Sequence, residues 1–220
     1  MVKTKKVSRI KAKKKKWFPI FAPSFLGQRE VGETFLQEPE TALKRKLRVN
    51  LKELTGSMRD QNIHVSLRVS EVKNNTLQTE VIGYSYMSFY IKKLVRRNNG
   101  KIDDSLVLKT KDNRIIRIKP LIITVFPVKK SLKTVFRKRL AELLSVEVGK
   151  LTLDNLINDL LKYKLQVDFK KKLNKLYPVR EVVIRVVKLE ERKGVKLTKI
   201  KEKKLVEVKE EKLPEVKEGK

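Results

Sequence analysis

The sequence feature that most constrains the fold is a strict two-residue alternation in the segment "NIHVSLRVSEV". Its apolar positions share one parity: Ile63, Val65, Leu67 and Val69. Because successive side chains of an extended chain point to opposite faces, this pattern predicts a strand with one face in a core. The polar positions His64 and Arg68 then lie on the other face. The next segment, "TLQTEVIGYSYM", predicts a further strand and is entered through "KNN", whose asparagines favour a tight turn.

Three other regions also predict strands. The segment "LKRKLRVNLKEL" alternates apolar residues with mostly cationic ones, which indicates a half-buried strand with a cationic outer face. The segments "SLVLKT" and "RIIRIKPLIITVF" flank "KDN" and predict a hairpin, since Asp112 and Asn113 tolerate the backbone angles of a tight reversal. Near the end of the chain, "REVVIRVVKL" is rich in β-branched residues and predicts a strand that returns to the sheet.

Helical spacing appears in four segments. The first, "SFYIKKLVRRNNG", predicts a helix that ends at Asn98-Asn99-Gly100. Ser131 is a candidate N-cap for a second helix, and Thr152 is one for a third. The fourth, "QVDFKKKLNKLY", ends against Pro178. We therefore expect an α+β fold: a mainly antiparallel β-sheet or barrel-like core with a C-terminal helical insert.

The chain divides into three zones by composition. Residues 1–16 carry nine cationic residues and no acidic one, which predicts a basic arm without a core of its own. Residues 17–190 form the expected α+β globular domain. Residues 191–220 mix both charge signs and contain no aromatic residue, which predicts a charged, flexible tail.

The charge balance indicates the class of partner. Fifty-five Lys and Arg residues face 25 Asp and Glu residues, a formal net charge of +30. Such a charge repels itself in a compact state unless a polyanion neutralises it, and nucleic acid is the strongest candidate. A membrane surface is a weaker candidate, and no apolar stretch is long enough to cross a bilayer. The sequence has no cysteine, which excludes disulfides and thiolate metal sites.

The stretch "KKKKWFPIFAPSFLG" superficially resembles an export signal. Pro19 and Pro23 interrupt its apolar part, so it lacks the coherent helical core of a secretory signal. Its aromatic residues have two interpretations, either packing on the sheet or stacking on unpaired bases, and packing is favoured: Trp17, Phe18, Phe21 and Phe25.

Enzyme signatures are absent from the sequence. There is no Walker-type glycine loop, dinucleotide fingerprint, His-Glu metal motif or nucleophile elbow. The single histidine, His64, could act as a general base, but on the outer face of a strand it is more readily explained as a surface or RNA-facing residue. Asp103 and Asp104 could hold Mg²⁺, but adjacent side chains of an extended segment diverge. We predict no enzyme, no cofactor and no metal.

Cationic clusters next to aromatic residues are, in contrast, abundant. They lie in the arm, in "FRKRL" and in "FKKKLNK". Any one cluster is explained by a solvated helix face, but three clusters on a chain of this charge favour a nucleic-acid-binding protein. The candidate RNA-binding residues are Lys11, Lys13, Lys14, Lys15, Lys16, Trp17, Arg137, Lys138, Arg139, Lys170, Lys171 and Lys172.

Taken in order, several blocks resemble the S-three-a (e-S-one) family of archaeal and eukaryotic small-subunit ribosomal proteins. The resemblance covers about residues 11–190 and rests on "WFPIFAPSFL", "VGET", "RVNLKEL", "TKDNRIIRI", "FRKRLAEL" and above all "LYPVREVVIRVVKL". It implies a structural constituent of the small ribosomal subunit, on the platform near the messenger exit. It further implies contact with small-subunit ribosomal RNA, neighbouring platform proteins and messenger RNA at the exit, a cytoplasmic location and no catalysis. The alternative from a different class is a nucleic-acid-binding protein outside the ribosome, such as an RNA chaperone or chromosome-associated factor.

Overall fold

A computed structural model describes residues 14–190. In this part of the chain there are nine strands and five α-helices, together with three short 3₁₀ turns. The elements are, in chain order, β1 (Lys16–Phe21), β2 (Glu30–Leu36), β3 (Lys46–Asn50), α1 (Leu51–Thr55), β4 (Ile63–Lys73), β5 (Thr76–Tyr86), α2 (Ser88–Leu94), β6 (Lys101–Asp103), β7 (Leu106–Lys109), β8 (Ile115–Thr124), α3 (Lys130–Lys150), α4 (Leu153–Leu161), α5 (Lys164–Asn174) and β9 (Val179–Leu189).

The strands form one mixed, mostly antiparallel sheet organised around β5. One edge of β5 pairs with β4 along its length, and β4 pairs in turn with β3. The other edge of β5 is shared: β1 pairs with its beginning, in parallel, and β9 with its end. Beyond β9 lie β8 and then the short strands β6 and β7. The predicted α+β class and mainly antiparallel sheet are confirmed.

The long hairpin of β4 and β5 arises where the alternation predicts it. Its two-residue turn consists of Asn74 and Asn75, whose φ angles are 46° and 63°. Positive φ at both central residues matches the right-handed twist of the flanking strands, and asparagine tolerates it. The β7–β8 hairpin is confirmed too, with Asn113 at φ 60°.

Two separate clusters of buried residues hold the fold together. The main core lies between the sheet and the helices, and its largest side chains include Phe136 of α3 and Phe169 of α5. The small core lies beneath the β1–β2 hairpin and consists of Phe18, Ile20, Ala42, Val69 and Leu77. In β8, every residue from Pro120 to Thr124 is buried, because this end of the sheet is covered on both faces.

The three C-terminal helices follow from their apolar spacing and caps. Phe136, Leu140, Leu144 and Val148 recur every four residues and form the buried stripe of α3. Thr152 caps α4 as predicted, because its side chain accepts a hydrogen bond from Asn155 N at 3.4 Å. α3 packs against β6, β7 and α5, and α5 packs against α4 and β9. None of the helices in residues 14–190 is long and apolar enough to cross a membrane.

The prediction of one strand through "LKRKLRVNLKEL" is wrong at both ends, since β3 begins only at Lys46, after a turn in which Lys44 has φ 64°. β3 stops at Asn50, whose side chain accepts a hydrogen bond from Lys52 N at 3.0 Å and thereby caps α1. Leu51 and Leu54 are both buried, which is the three-residue spacing of a helix. Gly56, at φ 76°, ends this helix in the left-handed conformation.

Three helix ends also differ from the prediction. α2 ends at Leu94, and the left-handed Asn98 lies in a later turn rather than at the helix end. α3 begins one residue before Ser131, after Lys129, and no side chain caps it. α5 ends at Asn174, whose side chain accepts a hydrogen bond from Val179 N at 2.8 Å and so connects the helix to β9.

Candidate nucleic-acid interface

The first predicted cluster occupies three consecutive positions of α3. Arg137, Lys138 and Arg139 follow the buried Phe136 and are all exposed, since they fall outside the apolar stripe. The guanidinium of Arg139 donates from Nη1 to Glu142 Oε2 at 3.1 Å. Among the described residues, neither Arg137 nor Lys138 forms an ion pair with a carboxylate. Their charges are therefore free to meet an external anion.

The second predicted cluster lies on α5, between the buried Phe169 and Leu173. Lys170, Lys171 and Lys172 are all exposed. The Nζ of Lys172 lies 3.7 Å from Glu147 Oε1, so this lysine connects α5 to α3.

Lys170 has an acidic neighbour on β9. Half-burial raises the pKa of the Glu181 carboxyl, and the nearby charges of Lys170 and Arg180 oppose that rise. Of the three lysines of this cluster, Lys171 is therefore the one with neither an ion pair nor a shifted acid beside it in the described part of the chain.

The two helical clusters are brought together by the packing of α3 on α5. Glu147, which contacts Lys172, lies eight positions after Arg139, or about 12 Å along the helix axis. Both clusters therefore belong to one helical layer of the molecule.

The third predicted cluster is at the beginning of the described chain, and the structure places it elsewhere. Lys14, Lys15 and Lys16 are exposed, whereas Lys11 and Lys13 lie outside the described residues. These lysines lead into β1, which pairs with β2 and with the beginning of β5. The helical layer packs instead against β6, β7 and β9, so the predicted residues form two groups on different parts of the sheet.

The aromatic residues of β1 divide between the two interpretations. Phe18 is 4% exposed and packs in the small core, as the packing interpretation predicts. Trp17 has the opposite parity and is 63% exposed. Its ring lies against Phe35 of β2, with a centroid separation of 4.9 Å, and Lys15 Nζ lies 5.8 Å from the Phe35 centroid. Two exposed rings next to a cation form a surface on which an unpaired base can stack.

The side chains of the two aspartates considered for Mg²⁺ are engaged in the fold, whereas that of the histidine considered as a general base is not, in the part of the chain that the structure describes. Asp103 accepts a hydrogen bond from Arg185 Nη1 at 3.1 Å and lies 3.6 Å from Lys101 Nζ. Asp104 accepts one from the backbone N of Ser105. His64 is half-buried and its Nδ1 has no hydrogen-bond partner. Within residues 14–190, no cluster of three or more His, Asp or Glu side chains could hold a metal ion.

The most strongly shifted pKa values belong to the core. Burial raises the pKa of Tyr84 and Tyr86, which lie in the main core. Desolvation by burial is the largest cause of both shifts, so they are explained by the packing of the core and need no catalytic arrangement.

Sequence reasoning missed a further cationic surface on the sheet. Arg48 of β3, Lys188 of β9 and Arg117 of β8 lie in one row across five strands. The alternation in β3 indicated its cationic outer face, but only the strand order shows that residues 140 positions apart share a row.

Comparisons with a family model and with individual proteins all point to one family. The model of the Ribosomal S3Ae family matches residues 3–193. A small ribosomal subunit protein eS1 from Sulfurisphaera tokodaii is 35% identical over 179 residues, which cover 81% of this chain and 93% of that protein. The eS1 protein of Sulfolobus acidocaldarius is 32% identical over 188 residues, covering 85% and 95%. That of Methanothermobacter thermautotrophicus is 28% identical over 180 residues, covering 81% and 92%.

Proposed function

Because the chain belongs to the Ribosomal S3Ae family, we propose that it binds small-subunit ribosomal RNA directly, through its basic arm and the cationic faces of α3 and α5. Its role is that of a structural constituent of the small ribosomal subunit, and it is not an enzyme. The protein supports translation by holding RNA segments in place.

The observation that carries this proposal is the set of exposed cations on two packed helices. Arg137, Lys138 and Lys171 have no acidic partner in the described residues, in a chain whose net charge is +30. Such side chains displace condensed counterions when they dock on phosphates, and this release supplies most of the affinity for RNA.

The N-terminal region adds a second contact. We assign residues 1–16 to an RNA-threading arm, residues 17–190 to the globular RNA-binding domain and residues 191–220 to a charged tail, whose predicted flexibility lies outside the described residues. Lys11 and Lys13–Lys16 bind phosphates, while the Trp17–Phe35 pair stacks on an unpaired base at the point where the arm joins the domain.

A position within the subunit is the further part of this proposal, and the family resemblance supports it. We assign the protein to the platform near the messenger exit, next to other platform proteins and within reach of messenger RNA, in cytoplasmic ribosomes. Cross-linking within assembled subunits tests this assignment, and cross-links confined to RNA and proteins remote from the exit would contradict it.

A salt series tests the RNA contact of the arm. In a filter-binding assay with small-subunit RNA, replacing Lys13, Lys14, Lys15 and Lys16 by alanine is expected to reduce the slope of log K against log salt by about 3, at about 0.7–0.9 per lost phosphate contact. The matched control replaces four tail lysines, Lys201, Lys203, Lys204 and Lys209.

Equal slopes for the arm variant and the wild-type protein would contradict the assignment of the arm. Complete loss of the wild-type protein from small subunits in a moderate-salt wash would instead favour the alternative, a nucleic-acid-binding protein outside the ribosome.

A further inference from the structure

The outer face of the sheet carries an ordered row of side chains. Residues that pair directly across neighbouring strands point to the same face. The pairs are Arg48 with Ser66, Ser66 with Gly83, Gly83 with Lys188, and Lys188 with Arg117. The row therefore crosses β3, β4, β5, β9 and β8. Cations lie at both ends, and the two smallest side chains lie between them.

This row forms a groove. A depression of about 280 Å³ lies between Arg48 and Lys188, with Ser66 and Gly83 among its lining residues. The two walls are separated by β4 and β5, which corresponds to about 14 Å at the usual strand spacing. Gly83 has no room for a side chain, because a Cβ there would lie 2.9 Å from Val187 O. The middle of the row therefore carries no long side chain between the cationic ones.

The neighbouring row supplies polar groups to the same face. It consists of Asn50, His64, Ser85, Val186 and Lys119, paired in that order across the same strands. The hydroxyl of Ser85 can hydrogen-bond to phosphate oxygens and to ribose hydroxyls, whereas the amide of Asn50 is engaged in the fold, since it caps α1 and donates to Gln61 O at 3.1 Å.

The charge of this face is not balanced internally. Glu80 accepts a hydrogen bond from Arg68 Nε at 2.8 Å, and Glu190 accepts one from Arg117 Nε at 2.6 Å. No ion pair in the described part of the chain involves Arg48, Lys119 or Lys188. Three cations on the face thus have no carboxylate partner.

We propose that this groove, bounded by Arg48 and Lys188, binds the phosphodiester backbone of a single RNA strand. The inference rests on the proposed function and adds an RNA contact separate from the arm and from α3 and α5. Charge complementarity favours a polyanion, and the glycine and serine floor lets a strand lie close to the sheet. The groove has no aromatic lining residue, so it contacts phosphate and sugar and has no base preference.

The test is a double variant, Arg48→Gln with Lys188→Gln, in the full-length protein. At one phosphate contact for each side chain, we expect the affinity for small-subunit RNA to fall about 25-fold at about 0.1 M salt, and the salt slope to decrease by about 1.4. The control, Lys92→Gln with Lys93→Gln, removes the same charge from exposed positions on α2. Thermal unfolding followed by circular dichroism verifies that all variants are folded.

Substitutions at Ser66, in the floor of the groove, test whether the sign of the charge placed there decides RNA binding. Ser66→Glu places a carboxylate between the two walls and is expected to weaken RNA binding, whereas Ser66→Arg is expected to preserve or strengthen it. A purely structural role of Ser66 would make both variants equally weak, which would overturn the proposal.

The remaining outcomes separate this inference from the proposed function. If the wild-type protein binds small-subunit RNA and the groove variant matches the α2 control, the groove proposal is wrong while the proposed function stands. If the wild-type protein binds no RNA, both fail. If the groove variant keeps its RNA affinity but loses binding of a polyglutamate peptide, the groove accepts an acidic polypeptide, and the RNA assignment is overturned.

Discussion

The main core and the small core differ in how many elements enclose them. Side chains from the sheet and from all three C-terminal helices meet in the main core, and β8 is buried on both faces at its end. The small core has five buried residues and is closed on one side by the β1–β2 hairpin. Local opening requires little energy where few apolar contacts are lost. We therefore expect that the β1–β2 hairpin, from which the proposed arm extends, can open without unfolding the rest of the domain.

The two cores support different parts of the proposed RNA-binding surface. The cationic residues of α3 and α5 are presented by helices whose opposite faces are fixed in the main core. Lys14–Lys16 and Trp17 are presented by a hairpin that covers only the small core. We therefore expect α3 and α5 to be preorganised for RNA, and the arm base to gain order when RNA binds.

The largest expected effect comes from a substitution in the main core. Phe136→Ala removes a side chain with 0% exposure and should lower the free energy of unfolding by about 3–5 kcal/mol, because the enclosing elements cannot close the cavity. Chemical denaturation measures this change. The control is the adjacent Val135→Ala, whose side chain is 46% exposed and should cost much less. Equal losses for the two variants would contradict the account of α3.

A smaller and local effect is expected from the small core. Phe18→Ala should cost about 2–3 kcal/mol, below the usual range for phenylalanine, since the hairpin can settle onto the gap. Amide hydrogen exchange should become faster in β1 and β2, while exchange in β8 and β9 stays nearly unchanged. The adjacent exposed Trp17→Ala is the matched control for stability. Uniformly faster exchange in all strands would show that the two cores unfold as one unit.

Much of this fold could be predicted from local patterns. β4, β5 and their turn are strictly alternating segments joined by two asparagines, and both signals act over a few residues. α1 was missed because five residues are too few to show a helical period, and Leu51 continues the alternation of β3. The parallel contact of β1 with β5 depends on long-range packing that no local pattern encodes.

The residues of the candidate interface were likewise predictable only where a local pattern decides their exposure. The exposure of Arg137–Arg139 and Lys170–Lys172 follows from the apolar stripes on either side of them. The exposure of Trp17 was not expected, because packing is the usual role of a large aromatic residue and the parity of β1 decides which rings face inward. The row from Arg48 to Arg117 requires the strand order of the whole sheet.

The smallest expected effect distinguishes two candidate caps within the helical layer of the main core. Thr152→Ala removes the acceptor for Asn155 N and should lower the free energy of unfolding by about 1 kcal/mol. Ser131→Ala should change it by less than about 0.5 kcal/mol, because Ser131 lies inside the first turn of α3 and is exposed, and no side chain caps that helix. Both Thr152 and Ser131 are N-cap candidates in the sequence. The difference between the denaturation midpoints of the two variants therefore measures the contribution of the cap itself. A larger loss at Ser131 than at Thr152 would mean that α3 begins at the cap that the sequence predicted, and that its first turn is held by a contact at Ser131 rather than by packing against the sheet.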